Sequence, residues 1–296
     1  MRIFITGGTG FIGSRLVPKL LARGHKLLFL TRKVPKKSLG RASSVVGDLS
    51  NQNAWREDLK KFKPDAVIHL AWEGLENYDF EARVSLANMK NSLDLVSLAA
   101  ELRCKKFLSL GSCWEYGGGE GPKKESDTLN PPSHIPSFVF AKRAIQTMGE
   151  QIALESKMQF LWARLFFVYG PRQKPRTLIA HLVKNIKVGT APEIKNKSGA
   201  NDFVFIDDVA DALLNILENS KEQSAIYNVG SGRLTGVGEV VKEVYKDFNI
   251  LAPKWCFKKT TPRGFYANIL KIKKEIGWRP RTSMAEGIKK TILHSK

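Results

Sequence analysis

Apolar and polar residues alternate along the chain in blocks that predict strands and helices in turn. The chain opens with the apolar run 3–5, which is typical of a buried strand. Apolar residues at helical spacing follow between residues 11 and 21, and Gly24 predicts the end of that helix. Residues 26–30 then predict a second strand. A strand, a crossover helix and a second strand are what a parallel sheet requires.

The same alternation continues over most of the chain. Further strands are predicted at residues 44–46, 66–70, 107–110, 160–163, 203–206 and 225–229, and helices at about 80–101 and 141–155. This order predicts an α/β fold, a doubly wound parallel sheet of the Rossmann type. Residues 117–136 are rich in Gly, Pro, Lys and Ser, which predicts a long mobile loop over a site.

The connection between the first strand and the first helix is rich in glycine. It consists of Gly7, Gly8, Thr9, Gly10, Phe11, Ile12 and Gly13. In such a turn one glycine makes the tight bend, one lets the backbone approach a pyrophosphate, and one lets the helix pack on the strand. Free N–H groups and the dipole at the helix N-terminus then favour a diphosphate. We therefore predict dinucleotide binding here, with a purely structural turn as the alternative.

The end of the second strand indicates which dinucleotide is bound. Thr31, Arg32 and Lys33 stand there, without the acidic residue that an NAD site offers to the ribose hydroxyls. An arginine at this point accommodates the 2′-phosphate of NADP. The sequence therefore favours NADP over NAD. The alternative is a solvated basic loop, since Lys36 and Lys37 follow closely.

Composition limits the possible partners. The 296 residues are 43% hydrophobic, which suits one large α/β domain with a smaller lobe, and the net charge is +20. The lysines are dispersed in ones, twos and threes, which argues for a solvated surface and against nucleic acid. No apolar run approaches a membrane span of about 18 residues, and nothing at the start resembles a signal peptide. Three distant cysteines and five scattered histidines predict a reducing cytoplasm and no metal site.

Several short motifs recur at places where one known family has landmarks. They are Gly47-Asp48-Leu49, His69-Leu70-Ala71, Asn88, residues 112–117 (Ser-Cys-Trp-Glu-Tyr-Gly), 168–171 (Val-Tyr-Gly-Pro), 202–210, 227–232 and 277–280. With the glycine turn, they resemble the extended short-chain dehydrogenase/reductase family, the NAD-dependent epimerases and dehydratases that modify nucleotide sugars. The resemblance implies a dinucleotide-binding Rossmann domain in residues 1–168, which also receives about 203–250. Residues 169–202 and 251–296 would form the substrate-binding lobe.

The resemblance also implies further contacts with the cofactor. The motif of Asp48 and Leu49 contacts adenine in that family, and the segment of Leu70 and Ala71 lies under the cofactor. The remaining cofactor-binding candidates are Trp72, Asn88, Lys142 and Leu165. Family members commonly form homodimers through the two long helices, here about 80–101 and 141–155.

The chemistry of the family is hydride transfer between C4 of a sugar nucleotide and the nicotinamide. A Tyr-x-x-x-Lys pair and a serine or threonine act together: the phenol is acid or base, the lysine lowers its pKa, and the hydroxyl binds the reacting oxygen. Ser112 matches the hydroxyl residue and Lys142 the lysine, but Phe138 stands where the tyrosine belongs. Phe138 is an engineered Tyr→Phe change, a natural residue with Tyr116 or water as proton donor, or the mark of a protein that binds cofactor without turnover.

Other departures narrow the reaction. Cys113 and Trp114 stand where related dehydratases carry an Asp-Glu pair, which argues against water elimination. Phe167 replaces an asparagine that contacts substrate phosphates, and Arg263 lies within one residue of the diphosphate arginine. The substrate-binding candidates are therefore Cys113, Trp114, Phe167 and Arg263, although a cysteine after a strand is more often core packing.

These observations lead to one predicted function and two alternatives. The first is an NADP(H)-dependent ketoreductase that reduces C4 of a nucleotide-activated sugar. The second is a nucleotide-sugar C4-epimerase that holds its cofactor tightly. The third is a non-catalytic NADP-binding sensor, or an RNA-binding relative of the same fold, which Phe138, the altered Phe167 and Asn201, and the net charge of +20 suggest.

Overall fold

The structure is a computed structural model. It describes residues 1–33, 42–75, 80–130, 132, 134–174, 176–258 and 261–294. The predicted positions Lys36 and Lys37 lie outside these residues.

The strands and helices follow one another as the apolar pattern predicts. The strands are β1 (Arg2–Thr6), β2 (Lys26–Thr31), β3 (Ala42–Val46), β4 (Ala66–His69), β5 (Lys106–Ser112), β6 (Gly121–Lys123), β7 (Gln159–Leu165), β8 (Phe167–Tyr169), β9 (Ala200–Asn201), β10 (Phe203–Phe205), β11 (Ser224–Val229), β12 (Thr235–Gly236) and β13 (Phe265–Ala267). The α-helices are α1 (Gly13–Ala22), α2 (Arg56–Phe62), α3 (Ala82–Glu101), α4 (Pro136–Glu155), α5 (Leu178–Lys187), α6 (Ile206–Asn219), α7 (Val237–Asp247), α8 (Leu270–Ile276) and α9 (Met284–Leu293).

Seven strands form one parallel sheet in the order β11-β7-β5-β4-β1-β2-β3. β1 pairs with β2 on one side, where Ile3 lies opposite Leu27, and with β4 on the other, where Ile3 lies opposite Ala66. The strand order therefore reverses at β1. In open α/β sheets, ligands bind beyond the carboxyl ends of the strands at such a reversal. The glycine turn after β1 stands at this point.

The strands of the sheet are buried on both faces, because helices cover both sides of a parallel sheet of this kind. Phe4, Val67, Phe107 and Phe160 share one core with side chains of α2, α3 and α4. Ile3 and Ile5 alternate with Phe4 and face the opposite side. The predicted doubly wound α/β fold is thus confirmed.

The chain divides into two compact units. Unit 1 comprises Met1–Gly117, Leu129–Arg164 and Ala210–Tyr227, and unit 2 comprises Gly118–Thr128, Leu165–Val209 and the chain from Asn228 onward. Unit 2 contains three two-stranded pairings, β8 with β10, β9 with β12 and β6 with β13. Its Asp202 is fully buried and accepts hydrogen bonds from the backbone N–H groups of Ser231, Gly232 and Ala267.

Three boundaries differ from the prediction. Residues 118–128, 165–168, 203–209 and 228–250 belong to unit 2, whereas the sequence analysis assigned them to the first domain. Helix α4 begins at Pro136 rather than near residue 141, because proline suits the first helical turn and Phe138 and Val139 are already buried. Ile206 begins a helix instead of ending a strand. The segment 117–136 contains the short strand β6, and its mobility stays a prediction.

Candidate cofactor and reaction site

The glycine turn leaves no room for side chains where a diphosphate would approach. Gly7 has φ of +70°, and a Cβ there would lie 2.7 Å from the backbone nitrogen of Ala71. A Cβ on Gly13 would overlap the carbonyl oxygens of Gly7 and Gly8. The turn is closed by a hydrogen bond from Gly10 N–H to Gly7 O at 3.0 Å. The first turn of α1, all of it described, carries no acidic residue. The cradle thus has the shape and the polarity that suit a phosphate group.

A cavity of about 510 Å³ lies at the end of β2, beside this turn. Thr9, Thr31, Arg32 and Lys33 line it. The Oγ1 of Thr31 is buried and has no hydrogen-bond partner among the described residues. The Arg32 guanidinium is largely exposed and lies 3.4 Å from the carboxylate of Glu73. An unpaired hydroxyl and an accessible guanidinium fit the ribose and the 2′-phosphate of a dinucleotide.

Asp48 stands near this cavity with its carboxylate held in place. It accepts hydrogen bonds from the Ser50 hydroxyl at 2.6 Å and the Ser50 N–H at 2.9 Å. These bonds, and the charge of Arg32, lower the pKa of Asp48 below its usual range. Its carbonyl oxygen accepts from the indole of Trp55 at 2.8 Å, and the adjacent Leu49 packs on the core. The segment is therefore a fixed wall rather than a free loop.

A buried polar chain fixes the segment after β4. The Nδ1 of His69 lies 2.6 Å from the Thr6 hydroxyl, and its Nε2 lies 2.9 Å from the Ser92 hydroxyl. Since the Ser92 hydroxyl donates to the carbonyl oxygen of Asn88, it accepts from Nε2–H, and Nδ1 accepts from Thr6. Burial, and then the charge of Lys142, lower the pKa of His69 to about 3, so the ring is neutral.

Asn88 holds the segment of Leu70, Ala71 and Trp72 at its far end. Its side-chain oxygen accepts from Glu73 N–H at 2.8 Å, and its amide donates to the carbonyl oxygens of Glu73 and Val84. The side-chain amide of Asn88, a predicted cofactor-binding residue, thus forms its hydrogen bonds with the protein backbone. We infer that it shapes the wall under the cofactor.

Ser112 ends β5 and presents its hydroxyl from a tight 3₁₀ turn. The hydroxyl oxygen accepts from Trp114 N–H at 3.2 Å, so its own proton is left to donate. The backbone N–H of Ser112 donates to the Glu115 carboxylate at 2.8 Å. This capping arrangement fixes the serine at the carboxyl end of the sheet.

Phe138 and Lys142 lie on one face of α4, one helical turn apart, as the spacing predicts. Phe138 is 5% exposed and packs on Trp72 and Phe80, with ring centroids 5.3 and 5.0 Å away. The Lys142 ammonium donates to the carbonyl oxygen of Leu110 at 2.9 Å and lies 3.7 Å from the centre of the Trp72 ring. Burial lowers the pKa of Lys142 to about 7, although the negative charge of Glu115 acts to raise it. The lysine therefore sits in an aromatic enclosure instead of beside a phenol.

The sequence analysis missed two residues of this region. Glu115 is fully buried and pairs with Arg164 at 2.8 Å, and the guanidinium of Arg164 also donates to the Tyr116 hydroxyl at 3.0 Å. Tyr116, one of the proton donors considered for this chain, is 3% exposed. The signal that could have found Glu115 is an acid three residues after an apolar strand, matched by Arg164 inside the next long strand.

The remaining predicted residues divide between the two units. Cys113 is buried and Trp114 half-buried in unit 1, whereas Leu165, Phe167 and Arg263 belong to unit 2. Within the described ranges, no group of three or more His, Cys, Asp or Glu side chains is placed to hold a metal. Among the helices described, none is long and apolar enough to cross a membrane.

Comparison with known proteins places this chain in a family. The curated dTDP-L-rhamnose 4-epimerase of Burkholderia thailandensis is 25% identical over 338 residues, covering 97% of this chain and 93% of that protein. The crystal structure of UDP-glucose 4-epimerase from Thermotoga maritima with UDP-glucose has a TM-score of 0.83 at 25% identity, covering 99% and 98% of the two chains. MoeE5 in complex with UDP-glucuronic acid and NAD has a TM-score of 0.85 at 24% identity, with the same coverage, and shows the fold.

A family model also matches most of the chain, over residues 3–230. Its homologues are NAD-dependent nucleotide-sugar epimerases and dehydratases, so the chain is an enzyme of the oxidoreductase or epimerase type. The predicted resemblance is confirmed, and the chain belongs to the NAD dependent epimerase/dehydratase family.

Proposed function

We propose that the protein is an NADP(H)-dependent ketoreductase that reduces the C4 carbonyl of a nucleotide-activated sugar. The observation that carries this proposal is the cavity at the end of β2, where Arg32 stands beside the Thr31 hydroxyl, which has no partner among the described residues. The described residues that line this cavity include no acid. A positive wall favours the 2′-phosphate that distinguishes NADP from NAD. By analogy with other enzymes, use of NADPH suits net reduction, whereas an enzyme that recycles its own cofactor keeps NAD.

The chain offers a distinct group to each part of the cofactor. The cradle of Gly7 and Gly13 would hold the diphosphate, and the wall of Asp48 and Leu49 would face adenine. Lys142 would donate to the hydroxyls of the nicotinamide ribose. NADPH, when bound, supplies the hydride.

The reacting oxygen would be held by Ser112. Its hydroxyl oxygen already accepts from Trp114 N–H, so its proton is directed to the C4 oxygen of the sugar. Cys113 and Trp114 are assigned to the sugar on the family resemblance. In unit 2, Phe167 and Arg263 remain candidate contacts of the nucleotide part.

Phe138 requires another source for the proton that C4–O⁻ takes up. Tyr116 is a poor source, because it is only 3% exposed and its hydroxyl is therefore poorly accessible to a sugar. We therefore assign this proton to a bound water. Loss of a positioned acid costs about 10²–10⁴-fold in rate, so we expect slow turnover.

We also propose a homodimer built on α3 and α4. These helices pack on each other and leave Leu86, Phe140 and Met148 at least half exposed. Exposed apolar side chains of this size on neighbouring helices suit a second copy.

A C4-epimerase is the second candidate. Two of the relatives of 25% identity are 4-epimerases, and a third is a dTDP-D-glucose 4,6-dehydratase. An epimerase would use the same residues but return the hydride, so NADPH would not be consumed.

The test compares the chain with Phe138→Tyr, following NADPH oxidation over a panel of nucleotide 4-keto-6-deoxy sugars. We expect the tyrosine variant to turn over at least about 100-fold faster, because a positioned phenol replaces water. Phe138→Leu is the control for altered packing and should give no gain. If both forms bind NADPH and neither consumes it, the reductase is excluded, and an epimerase or a non-catalytic binding protein remains.

A further inference from the structure

Residues 250–258 of unit 2, between α7 and β13, expose several large apolar side chains. Leu251 is 86% exposed, Phe257 59% and Ile250 48%. A single apolar side chain on a protein surface is ordinary, but three within one short segment are a candidate interaction site. The proposed function makes no use of them.

The segment is held on its own unit by the residues between these side chains. Ala252 and Cys256 are buried, and the Cys256 N–H donates to the carbonyl oxygen of Pro253 at 2.9 Å. Lys254–Phe257 form a 3₁₀ turn that packs on α7. Because such a turn repeats every three residues, its first and last side chains share one face, and both are exposed. This surface therefore has a fixed shape.

Lysines accompany the apolar side chains on this surface. Lys254 and Lys258 are exposed on the segment itself. From α7, the Lys242 ammonium lies 5.7 Å from the centre of the Phe257 ring. Apolar and cationic groups thus lie side by side.

Nearby acids do not cancel this positive charge. Residues 248–258 contain no acid. The last two acids of α7 are Glu243, which pairs with Lys246 at 4.0 Å, and Asp247. Over residues 242–258 four lysines stand against two acids, so the surface carries a net positive charge.

Charge and exposure favour one kind of partner. A second copy of the chain would bring the same lysines face to face, which is unfavourable. Nucleic-acid bases stack on aromatic rings, whereas Leu251 and Ile250 are aliphatic. A leucine that is 86% exposed needs no complementary pocket to enter the boundary between headgroups and acyl chains of a bilayer, and lysines beside it are attracted to anionic headgroups.

We propose that a lysine–leucine face, made up of Ile250, Leu251, Lys254, Phe257 and Lys258, docks the protein on the surface of a bilayer that contains anionic lipid. The apolar side chains enter between the headgroups, and the lysines contact the lipid phosphates. The docking does not rest on the proposed function and can be measured without substrate or cofactor.

The experiment is cosedimentation of the full chain with lipid vesicles at low and high salt. One kind of vesicle is phosphatidylcholine alone, and the other is phosphatidylcholine mixed with phosphatidylglycerol. We expect binding to the anionic vesicles only, and weaker binding at high salt, because salt screens exposed charges. Equal binding to both kinds of vesicle, or to neither, contradicts the proposal.

Two double variants separate the parts of the lysine–leucine face. Leu251→Gln with Phe257→Gln removes apolar area and keeps the charge, whereas Lys254→Gln with Lys258→Gln removes charge. Each pair should weaken binding to the anionic vesicles by about tenfold. All four side chains are exposed, so both variants should keep the stability of the unmodified chain, which urea unfolding checks.

Helix α8 of the same unit supplies the matched controls. Leu270 is 66% exposed, and Lys273 and Lys274 are exposed. Leu270→Gln, and Lys273→Gln with Lys274→Gln, should leave vesicle binding almost unchanged. If these variants lower it as much as the first two, the vesicles respond to charge and apolar area in general, and the lysine–leucine face is not a docking site. Binding of single-stranded RNA, without binding of vesicles, would assign the surface to nucleic acid instead.

Discussion

The nucleotide end and the reacting end of the site lie in the same unit and are built in opposite ways. At the nucleotide end, the glycine turn is shaped by the absence of side chains, and the Thr31 hydroxyl has no partner among the described residues. At the reacting end, polar groups are bound to the protein itself. Lys142 is held by Leu110 and Trp72, and the Ser112 hydroxyl accepts from Trp114.

This difference indicates that the nucleotide end is arranged to bind a ligand, whereas the polar groups of the reacting end are already bound to the protein. Unpaired polar atoms and an open cradle cost free energy unless a ligand satisfies them, so the nucleotide end is built to receive one. At the reacting end, Phe138 packs on Trp72, and the Lys142 ammonium lies over the Trp72 ring.

The largest expected effect comes from a substitution that disrupts the glycine turn at the nucleotide end. In Gly13→Ala the new Cβ would overlap the carbonyl oxygens of Gly7 and Gly8, so the turn must open. We expect roughly 100-fold weaker NADPH binding, because the displaced N–H groups no longer converge on the diphosphate. Isothermal titration of the two proteins measures this change.

Gly24→Ala is the control for that variant. Gly24 ends α1 with φ of +78°, and a Cβ there meets nothing within 4 Å among the described atoms. The change should cost about 1 kcal/mol of stability through backbone strain and leave NADPH affinity unchanged. Equal affinities for the Gly13 and Gly24 variants would show that the turn does not hold the cofactor.

The sequence predicted the nucleotide end better than the reacting end, for a physical reason. The glycine turn, β1, β2 and α1 are adjacent in the chain, so local spacing carries their arrangement. Apolar runs also predicted the central strands, whereas the two- and three-residue strands of unit 2 are too short for any periodicity.

The reacting end depends on contacts between distant residues. Trp72 contacts Lys142, which follows it by 70 positions in the sequence, and Glu115 pairs with Arg164, which follows it by 49 positions. A charged residue ordinarily predicts exposure, so the burial of Glu115 is indicated only by a partner in a distant strand, Arg164. The roles assigned to individual residues stay predictions, and the family and the fold are confirmed.

The second-largest effect tests whether burial of Lys142 at the reacting end lowers the unfolding free energy of the protein. The pKa of Lys142 is about 7 in the folded chain and 10.5 in the unfolded one, so above pH 7 the unfolded state binds more protons. Unfolding free energy from this residue should therefore rise with pH, by about 2 kcal/mol between pH 7 and 9. Urea unfolding of the chain and of Lys142→Met gives this as a difference, since Met does not titrate. Parallel curves for the two proteins would mean that Lys142 titrates normally.

The smallest effect sharpens the choice between the two dinucleotides. Arg32→Ala should weaken NADPH binding by about tenfold and leave NADH binding unchanged, because only NADP carries the 2′-phosphate that a guanidinium at this strand end accommodates. Glu73→Gln should act in the opposite direction, by about threefold, since the Glu73 carboxylate lies 3.4 Å from that guanidinium and competes for it. Both affinities follow from quenching of tryptophan fluorescence by each cofactor. If Arg32→Ala weakened the binding of NADH and NADPH equally, Arg32 would contact a part that both cofactors share. The proposed preference for NADP over NAD would then be wrong.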